Sequence, residues 1–254
     1  MLQTLIDTPQ PSPSPRDQTS ASVPNSPCAL CRARKLTCCD GLFDGSPDRG
    51  AVKSRTRATA ARQNICRAGE PNEGVLVICE GWAVRFIQLP NGKRQILSVV
   101  LPGELVSPAT ILEKQSAFSV QAVTDVRYRY FSFAEVRTGI VDNPALFDVW
   151  MRLTAAEHRH ADKRLVDLGQ RTAQERIAAL IVHMMLRCEE RGELRNDEFA
   201  FPMSQQQVAD FTGLTPVHAC RVLSTLRRRA ICDVGRGTAK IIDRGELERI
   251  GSFK

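Results

Sequence analysis

The chain has 254 residues, of which 43% are hydrophobic and 25% are charged, a composition typical of a globular protein with one or two cored domains. Its net charge of +7 indicates a polyanionic partner without naming one. No apolar run approaches the ~18–20 residues of a membrane span, and the first residues do not resemble a secretory signal. We therefore expect a cytoplasmic protein whose cysteines are reduced thiols or metal ligands, not disulfides.

The first 62 residues are interpreted as a disordered tail followed by a cysteine-rich segment. Residues 1–27 are rich in Pro, Ser and Thr and poor in aromatic residues. A CxxC pair, Cys28 and Cys31, is followed by Cys38 and Cys39. A CxxC pair lets two thiolates reach one metal ion, and a third cysteine a few residues on can close the loop. The cluster therefore predicts either a metal site or reactive thiols.

Residues 63–135 have the pattern of a small antiparallel β-roll. Short β-prone runs alternate here with turn signals, and the runs are VLVICEG, WAVRFIQL, QILSVVL, FSVQAV and VRYRYFSF. Asn91-Gly92 between two apolar runs predicts a hairpin.

Residues 136–170 are interpreted as a dimerisation helix. Asn143-Pro144 marks a helix start, and residues 144–168 contain no further Gly or Pro. One side carries a coiled-coil-like apolar stripe, which comprises Leu146, Val149, Leu153, Ala156, Leu165 and Leu168. This stripe packs either against the roll or against a second copy of the chain. We favour the second copy, because a DNA-reading helix gains most from a symmetric partner.

Residues 171–254 are predicted to form a winged helix-turn-helix. A capping box at Thr172 and Glu175 opens one helix, and Ser204 caps another. Gly213 supplies the left-handed residue of a short turn, and Thr215 caps the helix that follows. Residues 231–242 then predict a β-hairpin, or wing, with Arg236 at its tip.

The helix after Thr215 has a small, polar and cationic face that suits a major groove. Arg221 is the predicted base reader, since a guanidinium can make a bidentate contact with guanine. The three arginines at 227–229 suit phosphates, because residues 216–229 contain no acid. The alternative is an ordinary helical hairpin with a solvated basic face. The predicted DNA contacts are Ser204, Thr215, Pro216, Val217, His218, Cys220, Arg221, Ser224, Thr225, Arg227, Arg228 and Arg236.

Other classes of function have weaker support. The chain contains no Gly-rich phosphate loop, HExxH or GxSxG motif, so we expect no catalytic residues and no enzyme. A zinc- or iron–sulfur-binding protein whose main function is the cysteine cluster is the alternative, but it leaves the winged motif without a role.

The stretches LPNGKRQILSVVLPGEL, RTAQERIAALIVHM and QQQVADFTGLTPVHACRVLSTLRRR resemble the Crp/Fnr family of bacterial transcription regulators, in its Fnr-like branch. The resemblance implies an α+β fold: an N-terminal β-roll of the cyclic-nucleotide-binding type, a long dimerisation helix and a C-terminal winged helix-turn-helix. It also implies a homodimer that binds palindromic promoter DNA and contacts RNA polymerase. The departures are Cys220, where many relatives have Ser or Asn, and Val217, where Fnr-type proteins have an acid. We also expect the roll to lack its first strands, because a Gly/Asp/Arg-rich stretch stands in their place.

Fnr-type oxygen sensors hold a [4Fe–4S] cluster with a similar N-terminal cysteine cluster and a fourth cysteine in the roll. Cys28, Cys31 and Cys38 or Cys39 match the first three ligands. Arg129 stands at the fourth position, which leaves Cys66 or Cys79 as candidates. An iron–sulfur cluster, zinc and unligated thiols therefore remain as alternatives.

The cyclic-nucleotide branch of the family holds its ligand with a Gly-Glu pair and a downstream arginine. Gly103 and Glu104 match the pair, but Ser116 stands at the position of the arginine. Without that cation a cyclic phosphate loses its main charge partner. The resemblance thus argues against cyclic AMP as a ligand.

Overall fold

A computed structural model describes residues 54–72 and 74–252 of the chain. The first part of this range forms an antiparallel roll. Its strands are β1 (Arg55–Thr59), β2 (Asn64–Cys66), β3 (Gly74–Glu80), β4 (Ala83–Gln88), β5 (Arg94–Val100), β6 (Ser119–Ala122) and β7 (Val126–Ser132). They form two facing sheets with the strand orders β1-β7-β3 and β2-β6-β4-β5. The five strand runs predicted from the sequence correspond to β3 to β7, so the predicted roll is confirmed.

The predicted Asn91-Gly92 hairpin joins β4 to β5. Gly92 has a φ of 80°, a conformation that glycine adopts without a steric penalty. The Leu89 amide donates to the Lys93 carbonyl at 2.8 Å, which closes the turn. The strand register follows from this turn, with Gln88 opposite Arg94.

The roll has its first two strands, β1 and β2, so the expectation that it lacks them is wrong. β1 lies before the predicted boundary at residue 63 and pairs with β7 over its whole length, from Arg55 opposite Tyr130 to Thr59 opposite Val126. Four of its five residues are exposed. An edge strand with so little buried surface carries no alternation of apolar and polar residues, so its sequence gives no strand signal.

Three helices follow the roll: α1 (Phe133–Asp142), α2 (Pro144–Gln170) and α3 (Ala173–Glu190). A capping box of Ser132 and Glu135 starts α1. Its first residue, Phe133, was predicted to end the last strand, and its residues 136–142 were predicted to belong to the dimerisation helix. The Asn143 side chain accepts from the Ala145 amide and starts α2, as predicted. With 27 residues, α2 is about 40 Å long.

The apolar stripe predicted on α2 is mostly used inside the chain. Leu146 is buried, and Val149 and Leu153 pack partly against the same cluster, which includes Trp150 and Phe131 of the roll. These three side chains thus pack on the chain's own roll, which is the alternative considered for this stripe, and a dimer seam formed by them stays a prediction. Ala156 and Leu168 are half-buried, whereas Leu165 is 71% exposed.

The C-terminal elements are β8 (Glu198–Ala200), α4 (Gln205–Thr212), α5 (Pro216–Arg228), β9 (Cys232–Gly235), β10 (Thr238–Ile241) and α6 (Arg244–Gly251). The strands form a small antiparallel sheet in the order β8-β10-β9. Helices α4 and α5 lie at the predicted helix-turn-helix, and β9 and β10 form the predicted wing.

One hydrophobic core joins the roll to the winged domain. Roll residues Trp82, Phe86 and Ile96 lie in the same buried cluster as Ile181 of α3 and Phe201 of the winged domain. The rings of Trp82 and Phe201 meet edge to face, with centroids 6.4 Å apart. Within the described ranges, no helix is long and apolar enough to cross a membrane.

Candidate nucleic-acid interface

The helix-turn-helix is set by side-chain caps. The hydroxyl of Ser204 accepts from the Gln207 amide at 3.2 Å, and the Gln207 side chain accepts from the Ser204 amide at 2.8 Å. Gly213 ends α4 with a φ of 67°, and the Thr215 hydroxyl accepts from the His218 amide at 3.3 Å. These are the predicted capping interactions. They fix where α4 ends and α5 begins.

Helix α5 has one buried side and one exposed side. Ala219 and Leu226 are fully buried, while Val217 is 61% exposed and His218 and Arg221 are also exposed. In the described part of the chain, the Arg221 side chain has no hydrogen bond or ion pair of its own. Its guanidinium is therefore free to bind a base.

The remaining predicted contacts on α5 differ in exposure. Thr215 and Pro216 are exposed at its start, while Cys220, Ser224 and Thr225 are half-buried along its flank. The Thr225 hydroxyl donates to the Arg221 carbonyl at 3.0 Å. These residues border the exposed face that Arg221 occupies, so they keep their place as predicted contacts.

Two of the three arginines at the end of α5 have acidic partners. Arg227 Nε donates to Asp233 of β9 at 2.6 Å, and Arg229 Nη2 donates to Glu246 of α6 at 2.9 Å. The prediction that all three arginines serve phosphates overlooked these acids, because both lie outside the helix. Among the described residues, Arg228 donates only to the Thr225 hydroxyl, at 3.0 Å, so no carboxylate there competes with a phosphate for it.

Arg227 also fixes the wing to the recognition helix. Its Nη2 donates to the Val234 carbonyl at 3.2 Å, in addition to the pair with Asp233. The wing turns at Arg236, which has a φ of 53°. A cavity of about 320 Å³ between the wing and the start of α4 is lined by both Ser204 and Arg236. The fold thus brings these two predicted contacts, 32 positions apart in the numbering, to one groove beside α5.

Glu104 of the roll is held by the winged domain. Its carboxylate accepts from Arg187 of α3, from Arg191 just after that helix, and from the Leu101 amide at 3.0 Å. Burial alone would raise the pKa of Glu104, but the two arginines outweigh burial and hold that pKa below its usual value. Glu104 therefore forms ion pairs that join the roll to the winged domain, and its carboxylate is not free to bind the ribose of a nucleotide.

A second ion pair, between half-buried side chains, ties α2 to the roll. Arg85 of β4 pairs with Glu157 of α2, and the Ser107 hydroxyl lies 2.9 and 3.1 Å from the two Glu157 carboxylate oxygens. The Arg85 guanidinium also lies over the Phe118 ring, 4.8 Å from its centroid. Ser116, at the position where the cyclic-nucleotide branch of the family has its arginine, is buried and donates to the Phe118 carbonyl at 2.6 Å.

The four N-terminal cysteines at 28–39 lie outside the described residues. Of the two candidates for a fourth ligand, Cys66 lies in β2 and lines a cavity of the roll, where burial raises the pKa of its thiol. A raised pKa disfavours the thiolate that binds metal. Cys79 lies in β3 and is half-buried. Across residues 54–72 and 74–252, no group of three or more metal-ligating side chains comes together.

Two family profiles match the chain at the two parts that the structure separates. Residues 175–250 match the Crp-like helix-turn-helix domain, and residues 56–141 match the cyclic nucleotide-binding domain. Both matches agree in position with the winged domain and the roll. Together they span more than half of the chain.

Curated relatives include the nitrogen fixation regulation protein FixK of Bradyrhizobium diazoefficiens, 28% identical over 69% of this chain and 73% of that protein. The transcriptional activator protein FnrA of Stutzerimonas stutzeri is 24% identical over 76% of this chain and 78% of that protein. Among solved structures, FixK2 from Bradyrhizobium japonicum superposes with a TM-score of 0.72 at 24% identity, over 80% of this chain and 99% of that one.

A cyclic-nucleotide-binding type of roll joined to a winged helix-turn-helix is the architecture of a DNA-binding transcription regulator. The matched profiles and the relatives assign this chain to a specific group of such regulators. It belongs to the Crp/Fnr family.

We predict that Arg228→Gln weakens binding to duplex DNA and lowers the slope of log affinity against log salt by about 0.9, the contribution of one phosphate contact. Arg229→Gln is the matched control, since Arg229 is paired with Glu246 and should leave the slope unchanged. Fluorescence anisotropy titrations at several salt concentrations measure both slopes. Equal slopes for Arg228→Gln and the unaltered protein would contradict the assignment.

Proposed function

We propose that the protein is a homodimer that binds palindromic promoter DNA and regulates transcription through contact with RNA polymerase. Each α5 lies in a major groove, with Arg221 on a guanine, while Arg228 and Arg236 contact phosphates. The observation that supports this best is the exposed, unpaired Arg221 on a helix whose other side is buried in the winged domain.

The exposed side of α2 supports a dimer on a different stripe from the one predicted. Phe147 and Met151 are each 50% exposed and Leu165 is 71% exposed. Three further exposed residues of α2 lie between these side chains and complete a stripe whose members are four and three residues apart in alternation, the spacing of a coiled-coil seam. The stripe is Phe147, Met151, Thr154, His158, Ala161 and Leu165. A second copy of α2 would cover these apolar side chains, and Leu165 is the one residue shared with the predicted seam.

Met151→Glu is predicted to convert the dimer to a monomer, because each dimer would then bury two carboxylates that face each other without a partner. The measurement is the mass of the protein by light scattering after size exclusion. Leu89→Glu is the matched control, since Leu89 is also 50% exposed but lies in the β4–β5 hairpin. If both variants keep the mass of the unaltered protein, the seam does not lie on this stripe.

Arg221→Gln tests the proposed base contact. We expect a loss of about 1–3 kcal/mol in affinity for a duplex selected from random sequence by the unaltered protein, together with relaxed preference at one base of each half-site. Arg55→Gln removes the same charge from an exposed strand of the roll and should leave base preference unchanged. Unchanged preference at every base in Arg221→Gln would disprove its role as a reader.

We further propose that the N-terminal cysteines supply an oxygen or redox signal. The support is their spacing, with Cys28, Cys31 and Cys38 or Cys39 as thiolate ligands of a [4Fe–4S] cluster. Cys66 and Cys79, which both lie in the roll, are the two candidates for the fourth ligand.

Anaerobically purified protein is expected to show a broad absorption band near ~400–420 nm that bleaches in air, with about four irons for each chain. Cys31→Ser should abolish the band, whereas Cys220→Ser, which changes a half-buried thiol of α5, should retain it. Zinc in place of iron would assign the cysteines a structural role, and a metal-free protein that binds DNA would refute the cluster.

A further inference from the structure

The C-terminal end of α4 directly precedes the turn and the recognition helix. The last carbonyls of a helix have no partner inside the helix and need donors from elsewhere. Here the Phe211 carbonyl accepts from Gln95 Nε2 of β5, at 3.1 Å, and from Arg164 of α2. The Thr212 carbonyl accepts from Arg176 Nη1 of α3 at 3.4 Å. Three elements outside the helix-turn-helix therefore hold its turn.

An ion pair from the roll reinforces this contact. Arg94 Nε donates to Asp210 Oδ2 at 2.7 Å, and the two side chains are only 20% and 9% exposed. Arg94 also donates to Gln121 of β6 at 2.8 Å, and its guanidinium lies over the Phe86 ring at 5.1 Å. Because the roll holds Arg94 at several points, Asp210 of α4 is fixed relative to the roll.

Arg164 adds a contact from the long helix. Its guanidinium lies 3.7 Å from the centroid of the Phe211 ring, a cation–π distance. Burial lowers the pKa of Arg164 to about 10, so it stays charged at neutral pH. Leu168, one turn further along α2, lies beside Gly213 of the same turn.

We propose that Arg94, Gln95 and Arg164, which we call the turn clamp, are positioning residues that set the angle of α5 relative to α2. This inference rests on the proposed function, since α2 carries the proposed dimer seam and α5 reads DNA. If the seam fixes the two copies of α2, the clamp fixes the distance between the two recognition helices. The clamp leaves the reading face exposed, so it orients α5 and does not block it.

The roll contributes two of the three clamp residues, and both follow the β4–β5 hairpin directly. Arg94 and Gln95 therefore hold the turn of the helix-turn-helix at a fixed place relative to β5.

The experiment compares binding to whole and half operators. The unaltered protein first selects a duplex from random sequence. Two kinds of duplex are then derived from it: one that contains a single half-site, and whole sites with one or two base pairs added or removed at the centre. We expect Asp210→Asn and Arg94→Gln to lose about 2- to 30-fold in affinity for the whole site, the range that coupling between distant sites spans. Affinity for the half-site should stay unchanged, and tolerance of altered spacing should increase.

Two controls separate positioning from stability. Glu80→Gln breaks the exposed Arg127–Glu80 pair within the same roll and should leave all affinities unchanged. The reversed pair, Arg94→Asp with Asp210→Arg, should recover the whole-site affinity and the spacing preference. Thermal unfolding of each variant, followed by circular dichroism, identifies any that fails to fold.

The proposal would be overturned if Asp210→Asn and Arg94→Gln lose as much affinity for the half-site as for the whole site. It would also be overturned if either variant binds the whole site as tightly as the unaltered protein, or more tightly. If both single variants fail to fold, the reversed pair decides: whole-site affinity and spacing preference at the unaltered level support the clamp, and their loss in a folded protein overturns it. Failure of the unaltered protein to select any duplex would instead refute the proposed function, and the clamp with it.

Discussion

The arrangement of this protein depends on the apolar core that the roll shares with the winged domain. Ile181 and Met185 of α3 are buried in the same cluster as Phe86 and Ile96 of the roll. Separating the two parts would expose this surface to water, at a cost of about 25 cal/mol for each Å² of apolar area. The position of the recognition helix relative to the roll is therefore set first by burial and only then refined by polar contacts.

The polar contacts across this interface are almost all made by arginines. Arg187 of α3 and Arg191 just after it hold Glu104 of the roll. Arg94 of the roll holds Asp210 of α4. A buried ion pair contributes little net stability, because desolvation of both charges offsets their attraction. Such a pair acts on geometry instead. If the winged domain docked on the roll at another angle, one charge of the pair would lose its partner, so each pair disfavours other docking angles.

Local signals in the sequence predicted much of the fold. The capping residues Ser204 and Thr215 and the left-handed Gly213 placed the helix-turn-helix, since each acts through atoms only a few positions away. Asn91-Gly92 placed a hairpin for the same reason. The exposed edge strand β1 gave no periodic signal, and its partner β7 lies far along the chain.

The contacts that the sequence did not predict at the candidate site share one physical cause. Arg227 and Arg229 were predicted to suit phosphates because their helix has no acid, but Asp233 and Glu246, which pair with them, belong to other elements. The side of α2 that carries Leu146 was assigned to a partner because periodicity shows that a stripe is buried but not by what. Contacts between elements decide such questions, and a single sequence does not contain them.

The pair of Arg85 and Glu157 gives the roll its own internal counter-ion. The carboxylate is tethered to the protein through α2, so its effective concentration at Arg85 is on the order of millimolar or higher. A free phosphate or carboxylate entering from solution competes with this tethered group for both Arg85 and the Ser107 hydroxyl. Glu157 therefore keeps this cation and this hydroxyl partnered from within the chain, and the pair adds a charged contact between the middle of α2 and the roll to the apolar packing of Leu146 and Trp150.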